Sequence, residues 1–421
     1  MDSPTHVALM AILRQKISRA GRITFAEFIQ TALYHPIHGY YQRPAPKIGK
    51  EGDYYTSADL HTIFGRLVAK QMAELWHKLE RPRPFLLVEI GAGKGLLALD
   101  ILNALQSDEP ALLDHLQLHL SETSPYHREK QKENLRAWLS YDILHWTDWP
   151  ALENLHGIGC VISNEWFDAL PVHRVYQNAG RLEEVYVVEN AGRLEEVHGE
   201  LSSPRLEEYF GEQGIALQDH QYAEINLSAL YWMERISRIL DKGFVITIDY
   251  GYLADELYSP WRPQGTRQCY YRHNTSADPF AHLGEQDITA HVNFSDLIRQ
   301  GEALGWLTAC LTSQKNFLMG LGLASYLDTM AKTASCSSAR GNAQTDDGRG
   351  EELLSPQSAI RNSPLPRPDP IRQINTRLAI KNLIMPDGMG EVFKVLIQYK
   401  GVDKPELSGC ASAAAWKIER V

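Results

Sequence analysis

Several absences narrow the chemistry of this chain before any motif is read. None of its five cysteines, Cys160, Cys269, Cys310, Cys336 and Cys410, belongs to a CxxC pair, and its 16 histidines form no HExxH. No metal site is expected. Cys160, Cys269 and Cys310 sit in or beside apolar or aromatic runs, and the set reads as reduced core residues rather than a disulfide framework. No stretch approaches the roughly 18–20 apolar residues that cross a bilayer, so stable membrane insertion is not expected. Positive charge is also scarce: the formal net charge is -10. That balance argues against nonspecific binding to nucleic acid, which needs a basic surface to displace counterions. The first residues carry Asp2 and no long apolar core, unlike a secretory signal, and residues 7–20, a basic amphipathic stretch, read as an ordinary first helix packed on the domain, with targeting as the alternative. These features together predict a cytoplasmic location.

What the chain does have is a glycine loop at the end of an apolar run. Phe85-Leu86-Leu87-Val88 leads into Glu89-Ile90-Gly91-Ala92-Gly93-Lys94-Gly95. The run Leu116-Gln117-Leu118-His119-Leu120 is followed by Glu122, and Cys160-Val161-Ile162 by Asn164-Glu165. Gly91, Gly93 and Gly95 let the backbone approach a ligand with no Cβ in the way. A Walker A loop would need four residues between its first glycine and Gly-Lys, then Ser or Thr, which is absent. A dinucleotide fingerprint would need glycine where Leu96 stands. S-adenosyl-L-methionine fits better: Glu89 can shape the end of the pocket that takes its positive amino-acid portion. Glu122 can accept both ribose hydroxyls, and Asp142 is expected to meet the adenine amino group.

The alternation of strand and helix from residue 85 predicts an α/β protein with a mostly parallel sheet. Strands are expected near 85–90, 116–122, 158–164 and 244–249, a short strand or loop near 138–142, helices over 62–79, 96–106 and 125–136, and a long helical stretch over 222–241. The runs at 306–312 and 391–399 are expected to close the sheet as an antiparallel pair. The expected organisation is an N-terminal helical region and loop (1–80), a cofactor-binding core (81–170), and a β-hairpin insertion (171–221). The rest of the core with a cover over the pocket follows (222–330), then a low-complexity insertion (331–375) and a C-terminal strand and tail (376–421). The hairpins are read from the repeated NAGRLEEV units. The low-complexity reading rests on the Ser, Ala, Gly, Asn, Asp and Pro of 331–370.

Methyl transfer is mainly a matter of lining up the acceptor, and a guanidinium acceptor would also need carboxylates to bind it. Glu165, with Asn164 before it, is the first candidate; Asp249 and Asp53 are candidates for a second carboxylate. Asp168 reads equally as a cap or turn anchor. The loop around Asp53, with Tyr55, Thr56 and Ser57, is expected to reach the cofactor or the acceptor. His35 and His291 read as hydrogen-bonded structural histidines.

Several segments resemble the MidA/NDUFAF7 family: GDYYTSADLHTIFGRLVAKQM, VEIGAGKGLLALDIL, NEWFDALPVHRV and GEQDITAHVNF among them. The resemblance implies a class I S-adenosyl-L-methionine-dependent methyltransferase (Rossmann-like) fold with an added helical and β-hairpin region. It places the glycine loop at Gly91, Gly93 and Gly95, the acid after the second strand at Glu122 and the motif after the fourth at Asn164-Glu165. It also implies protein arginine methylation, with a protein substrate such as a subunit of a respiratory NADH dehydrogenase-like complex. A small-molecule methyltransferase and a non-catalytic assembly factor stay open as alternatives, as does the oligomeric state, a homodimer included.

Overall fold

The structure, a computed structural model, describes residues 3–45, 47, 49, 52–53, 55–328, 370–385 and 388–411. Its centre is a sheet of seven main strands: β1 (Phe85–Ile90), β2 (Leu116–Ser121), β3 (Leu144–Trp146), β4 (Gly157–Asn164), β5 (Leu240–Tyr252), β6 (Leu307–Ser313) and β7 (Phe393–Lys400). Their order is β6-β7-β5-β4-β1-β2-β3, with the short strand Val292–Asn293 added to the end of β5. β1 to β5 run parallel, and β7 is antiparallel to both β5 and β6. The two late apolar runs therefore close the sheet as the sequence suggests.

Every residue of β1 is buried, because a parallel strand between helical layers has two covered faces. Phe85 and Leu87 face one core, shared with Phe64, Val68 and Met72 of a helix over Ile63–Lys78 and with Ile101 and Leu105 of a helix over Leu96–Asp108. Leu86, Val88 and Ile90 face the other, shared with Met233 and Ile236 of a helix over Leu227–Ile236 and with Leu297 of a helix over Phe294–Ala303. The two-residue period of the strand thus divides its side chains between two layers.

Beside this unit lies an antiparallel sheet. The strands His173–Asn178, Arg181–Asn190 and Arg193–Gly199 are joined at Ala179-Gly180 and Ala191-Gly192, all four residues at positive φ. That is the type I′ geometry which two-residue hairpin loops favour. Thr24 and Glu27 form the capping box that opens the helix Phe25–Tyr34.

Three expectations are corrected, and a fourth falls largely outside the described residues. Of the short strand or loop read at 138–142 only the loop is present, a 3-10 turn and a bend, and the third strand follows at Leu144–Trp146. The stretch 222–241 is not one helix: Tyr222–Ile225 joins the antiparallel sheet, Asn226 caps the helix Leu227–Ile236, and Leu240 already belongs to β5. The insertion read over 331–375 lies outside the described residues up to 369, and from Pro370 a helix runs to Ile384. Finally, Cys310 of β6 is joined to Cys410 by a disulfide, while Cys160 and Cys269 are free and buried. The partners are 100 residues apart, so only the packing of a late turn against β6 brings them together.

Candidate active site

A cavity opens where β1, β2 and β4 end, the side of a parallel sheet on which ligands bind. Glu89, Gly91, Gly93, Glu122, Asn164, Glu165 and Thr56 line it, as do Tyr34, Tyr41, Trp149 and Trp166. Gly91, Gly93 and Gly95 all have positive φ (67°, 50° and 73°), the left-handed region that favours glycine. A Cβ on Gly91 would stand 2.5 Å from Cδ1 of Trp166, so the indole packs where a side chain would be. Gly95 is the N-cap of the helix Leu96–Asp108 and does not line the cavity.

Glu122 is held from two sides. Gly93 N–H donates to its Oε2 at 2.9 Å and Ser124 N–H to its Oε1 at 2.8 Å. Each carboxylate oxygen retains capacity for a further bond, which suits it to a pair of hydroxyls. Glu89 is 4% exposed and its Oε2 has no hydrogen-bond partner. Burial pushes its carboxyl up to about 8, the Glu122 charge adds to the rise, and the Ala98 N–H opposes it. An orphaned buried acceptor is costly unless a donor arrives. Ribose hydroxyls for Glu122 and an ammonium for Glu89 are both present in S-adenosyl-L-methionine, so these residues fit the cofactor.

The other end of the cavity begins at Asn164-Glu165, where β4 stops. Glu165 has φ 53°, a conformation costing a non-glycine residue about 1–3 kcal/mol. Its Oε1 accepts the Ser57 N–H at 2.9 Å and the Asn164 Nδ2–H at 3.1 Å, which ties the 55–57 loop to the sheet. Burial pushes its carboxyl up to about 8, with the Ser57 N–H opposing and Asp168 adding. Asn164, its amide group fixed by Glu165, leaves Oδ1 buried and without a partner.

Other candidates stand elsewhere. Asp249 is fully buried: its Oδ2 accepts N–H groups of Trp166, Phe167 and Asp168, and its Oδ1 that of Tyr250. It is the anchor of the turn after β4 and does not line the cavity. Asp53 accepts the Tyr40 hydroxyl (2.7 Å) and the Arg272 N–H (2.6 Å), again off the cavity. Asp142 is exposed and precedes β3, which puts it at the opposite edge of a parallel sheet from the ligand. Tyr55 is exposed and stacks on His273, and Ser57 is buried with its hydroxyl on Gln314. Thr56 lines the cavity and caps the short helix Ser57–Leu60. His35 Nδ1 accepts two backbone N–H groups, whereas the buried Nδ1 of half-buried His291 has no hydrogen-bond partner.

Sequence reasoning missed Tyr34 and Tyr41, which line the cavity although they lie on either side of the HPIHGY turn. It also missed Lys94 paired with Asp59 beside the glycine loop. The one available signal was the density of aromatics before residue 56.

The family model described as "Putative S-adenosyl-L-methionine-dependent methyltransferase" matches residues 67–312. A Drosophila melanogaster protein named protein arginine methyltransferase NDUFAF7 homolog, mitochondrial, is 30% identical over 72% of this chain and 72% of its own. The Xenopus laevis protein arginine methyltransferase NDUFAF7, mitochondrial, is 26% identical over 75% and 74%. A Burkholderia thailandensis crystal structure with S-adenosyl-homocysteine bound is 28% identical with a TM-score of 0.80, covering 98% of this chain and 97% of that one. The relatives named mitochondrial overturn the cytoplasmic location expected from composition. The chain belongs to this family of S-adenosyl-L-methionine-dependent methyltransferases.

Proposed function

We propose that the chain methylates an arginine guanidinium of a protein substrate. The observation that carries this reading is Glu165: a carboxylate held by Ser57 and Asn164 at the cavity wall, beside an unpaired Asn164 acceptor. When bound, the cofactor supplies an electrophilic methyl group and leaves as a neutral thioether. Glu122 and Glu89 would hold its ribose and amino ends. Glu165 and Asn164 would orient the acceptor nitrogen, since positioning provides most of the acceleration in such a transfer. A guanidinium nitrogen that gains a methyl must give up a proton, and Glu165, whose carboxyl burial pushes up to about 8, is placed to receive it in its ionised form.

The names of the curated relatives support the arginine acceptor. A subunit of a respiratory NADH dehydrogenase-like complex as that protein rests on the family resemblance alone. The test is to incubate wild type and Glu165→Gln with methyl-tritiated cofactor and a lysate of cells lacking the protein. Wild type should label protein, and Glu165→Gln should label it at least about tenfold more slowly while binding S-adenosylhomocysteine normally. Equal labelling by the two would remove Glu165 from the reaction.

A further inference from the structure

The wall opposite the glycine loop has a chemical bias that the cofactor does not explain. Tyr34 lines the cavity and donates its hydroxyl proton to the carbonyl of Ala169 at 2.9 Å. Its proton is committed away, so the hydroxyl oxygen offers only lone pairs. Tyr41 lines the same wall and donates to Oδ1 of Asp287 at 2.7 Å. Asp287 is 2% exposed and makes no ion pair among the described residues. Burial pushes its carboxyl up to about 7, the Tyr41 hydroxyl opposes the rise and Asp168 adds to it, while the nearby Lys47 has its Nζ on the carbonyls of Arg43 and Ala45. Asn164 lines the same cavity with its buried Oδ1 unpaired. Three groups of the cavity lining, Tyr34, Asn164 and Glu165, therefore present acceptors, and a buried Asp287 carboxyl, held also by the Ile288 N–H, fixes the Tyr41 hydroxyl.

We propose that Tyr34 and the Tyr41–Asp287 pair form the acceptor-recognition wall, which takes a planar group made only of donors, the arginine guanidinium. The inference rests on the arginine reading above and deepens it. Tyr34 is a specificity-determining residue that meets a guanidinium N–H. Asp287 is a positioning residue: it fixes the Tyr41 rotor. A guanidinium brings five N–H donors in a fixed plane, whereas an ammonium brings three on a point charge. The wall spreads its acceptors over several residues, which matches the first better than the second.

The experiment uses the full chain, Tyr34→Phe, Asp287→Asn and the conservative Asp287→Glu. Initial rates with tritiated cofactor are measured against the concentration of lysate protein, and S-adenosylhomocysteine affinity is measured by calorimetry. Ethylguanidinium and n-butylammonium are titrated separately into the S-adenosylhomocysteine complex by NMR. The proposal expects the apparent KM for protein to rise about tenfold or more in Tyr34→Phe and Asp287→Asn. It expects partial recovery in Asp287→Glu, cofactor affinity within about twofold of wild type, and ethylguanidinium favoured over butylammonium by wild type alone. Unchanged KM in both variants overturns it, as does a parallel loss of cofactor affinity or equal binding of the two small cations. If wild type labels no arginine, the arginine reading fails by itself, and the small-cation arm still decides whether the wall selects guanidinium.

Discussion

The carboxylate of Glu165 accepts the backbone N–H of Ser57, 108 residues earlier in the chain, at 2.9 Å. One hydrogen bond thus joins the end of β4 to the loop before the helix Ile63–Lys78, and it does so from a residue with φ 53°. Glu165 is buried, and burial raises its carboxyl from 4.5 to about 8. Between those two values the folded state binds more protons at this site than the unfolded state, so stability from Glu165 is present below about pH 4.5 and is lost as pH rises through about 8. The difference in urea stability between wild type and Glu165→Gln should shift against wild type over that window. A difference that stays flat from pH 5 to pH 9 would mean Glu165 is not raised.

Gly93→Val should weaken S-adenosylhomocysteine binding by about tenfold or more. The residue sits at φ 50°, its N–H holds Glu122, and a branched side chain both strains the turn and enters the cavity. Calorimetry reads the result; undiminished affinity would contradict the close approach of backbone to ligand.

Glu122→Ala should also lower cofactor affinity, and it leaves the Gly93 and Ser124 amides without their acceptor. Restoring one acceptor with Glu122→Gln should recover part of the loss, because a carboxamide can hold one amide but not both in the same way. Equal affinities for wild type and Glu122→Ala would take Glu122 out of the ribose role.

Asp249→Ala should be a stability variant. It removes the acceptor of four backbone N–H groups at a fully buried site, at a cost of about 3 kcal/mol or more. Denaturant melts read that loss, with Asp249→Asn intermediate. Wild-type stability combined with abolished transfer would instead make Asp249 a reacting group.

The core sheet was legible because β1 and β4 carry continuous apolar runs and β2 an alternating one, each ending in polar residues, a pattern that buried parallel strands favour. Glu89, Gly91, Gly93, Glu122, Asn164 and Glu165 follow from it, since strand ends fix where their side chains emerge. Asp142 misled because a one-turn error in the third strand moves a residue from the ligand edge of the sheet to the opposite edge. Asp249 misled for another reason: its position at the end of β5 was right, but its lone pairs face the amides of the 166–168 turn. Tyr34, Tyr41 and Asp287 were illegible, because they meet only when the strand Asp287–Thr289 packs against the first helices. The same holds for Cys310 and Cys410.

The central claim is that this cavity delivers a methyl group to arginine in protein. Acid hydrolysis of protein labelled by wild type with methyl-tritiated S-adenosyl-L-methionine, followed by amino-acid analysis, tests it most directly. Label should co-migrate with methylarginine and fall sharply with Glu165→Gln. Label in another residue, or only in small molecules, would contradict it.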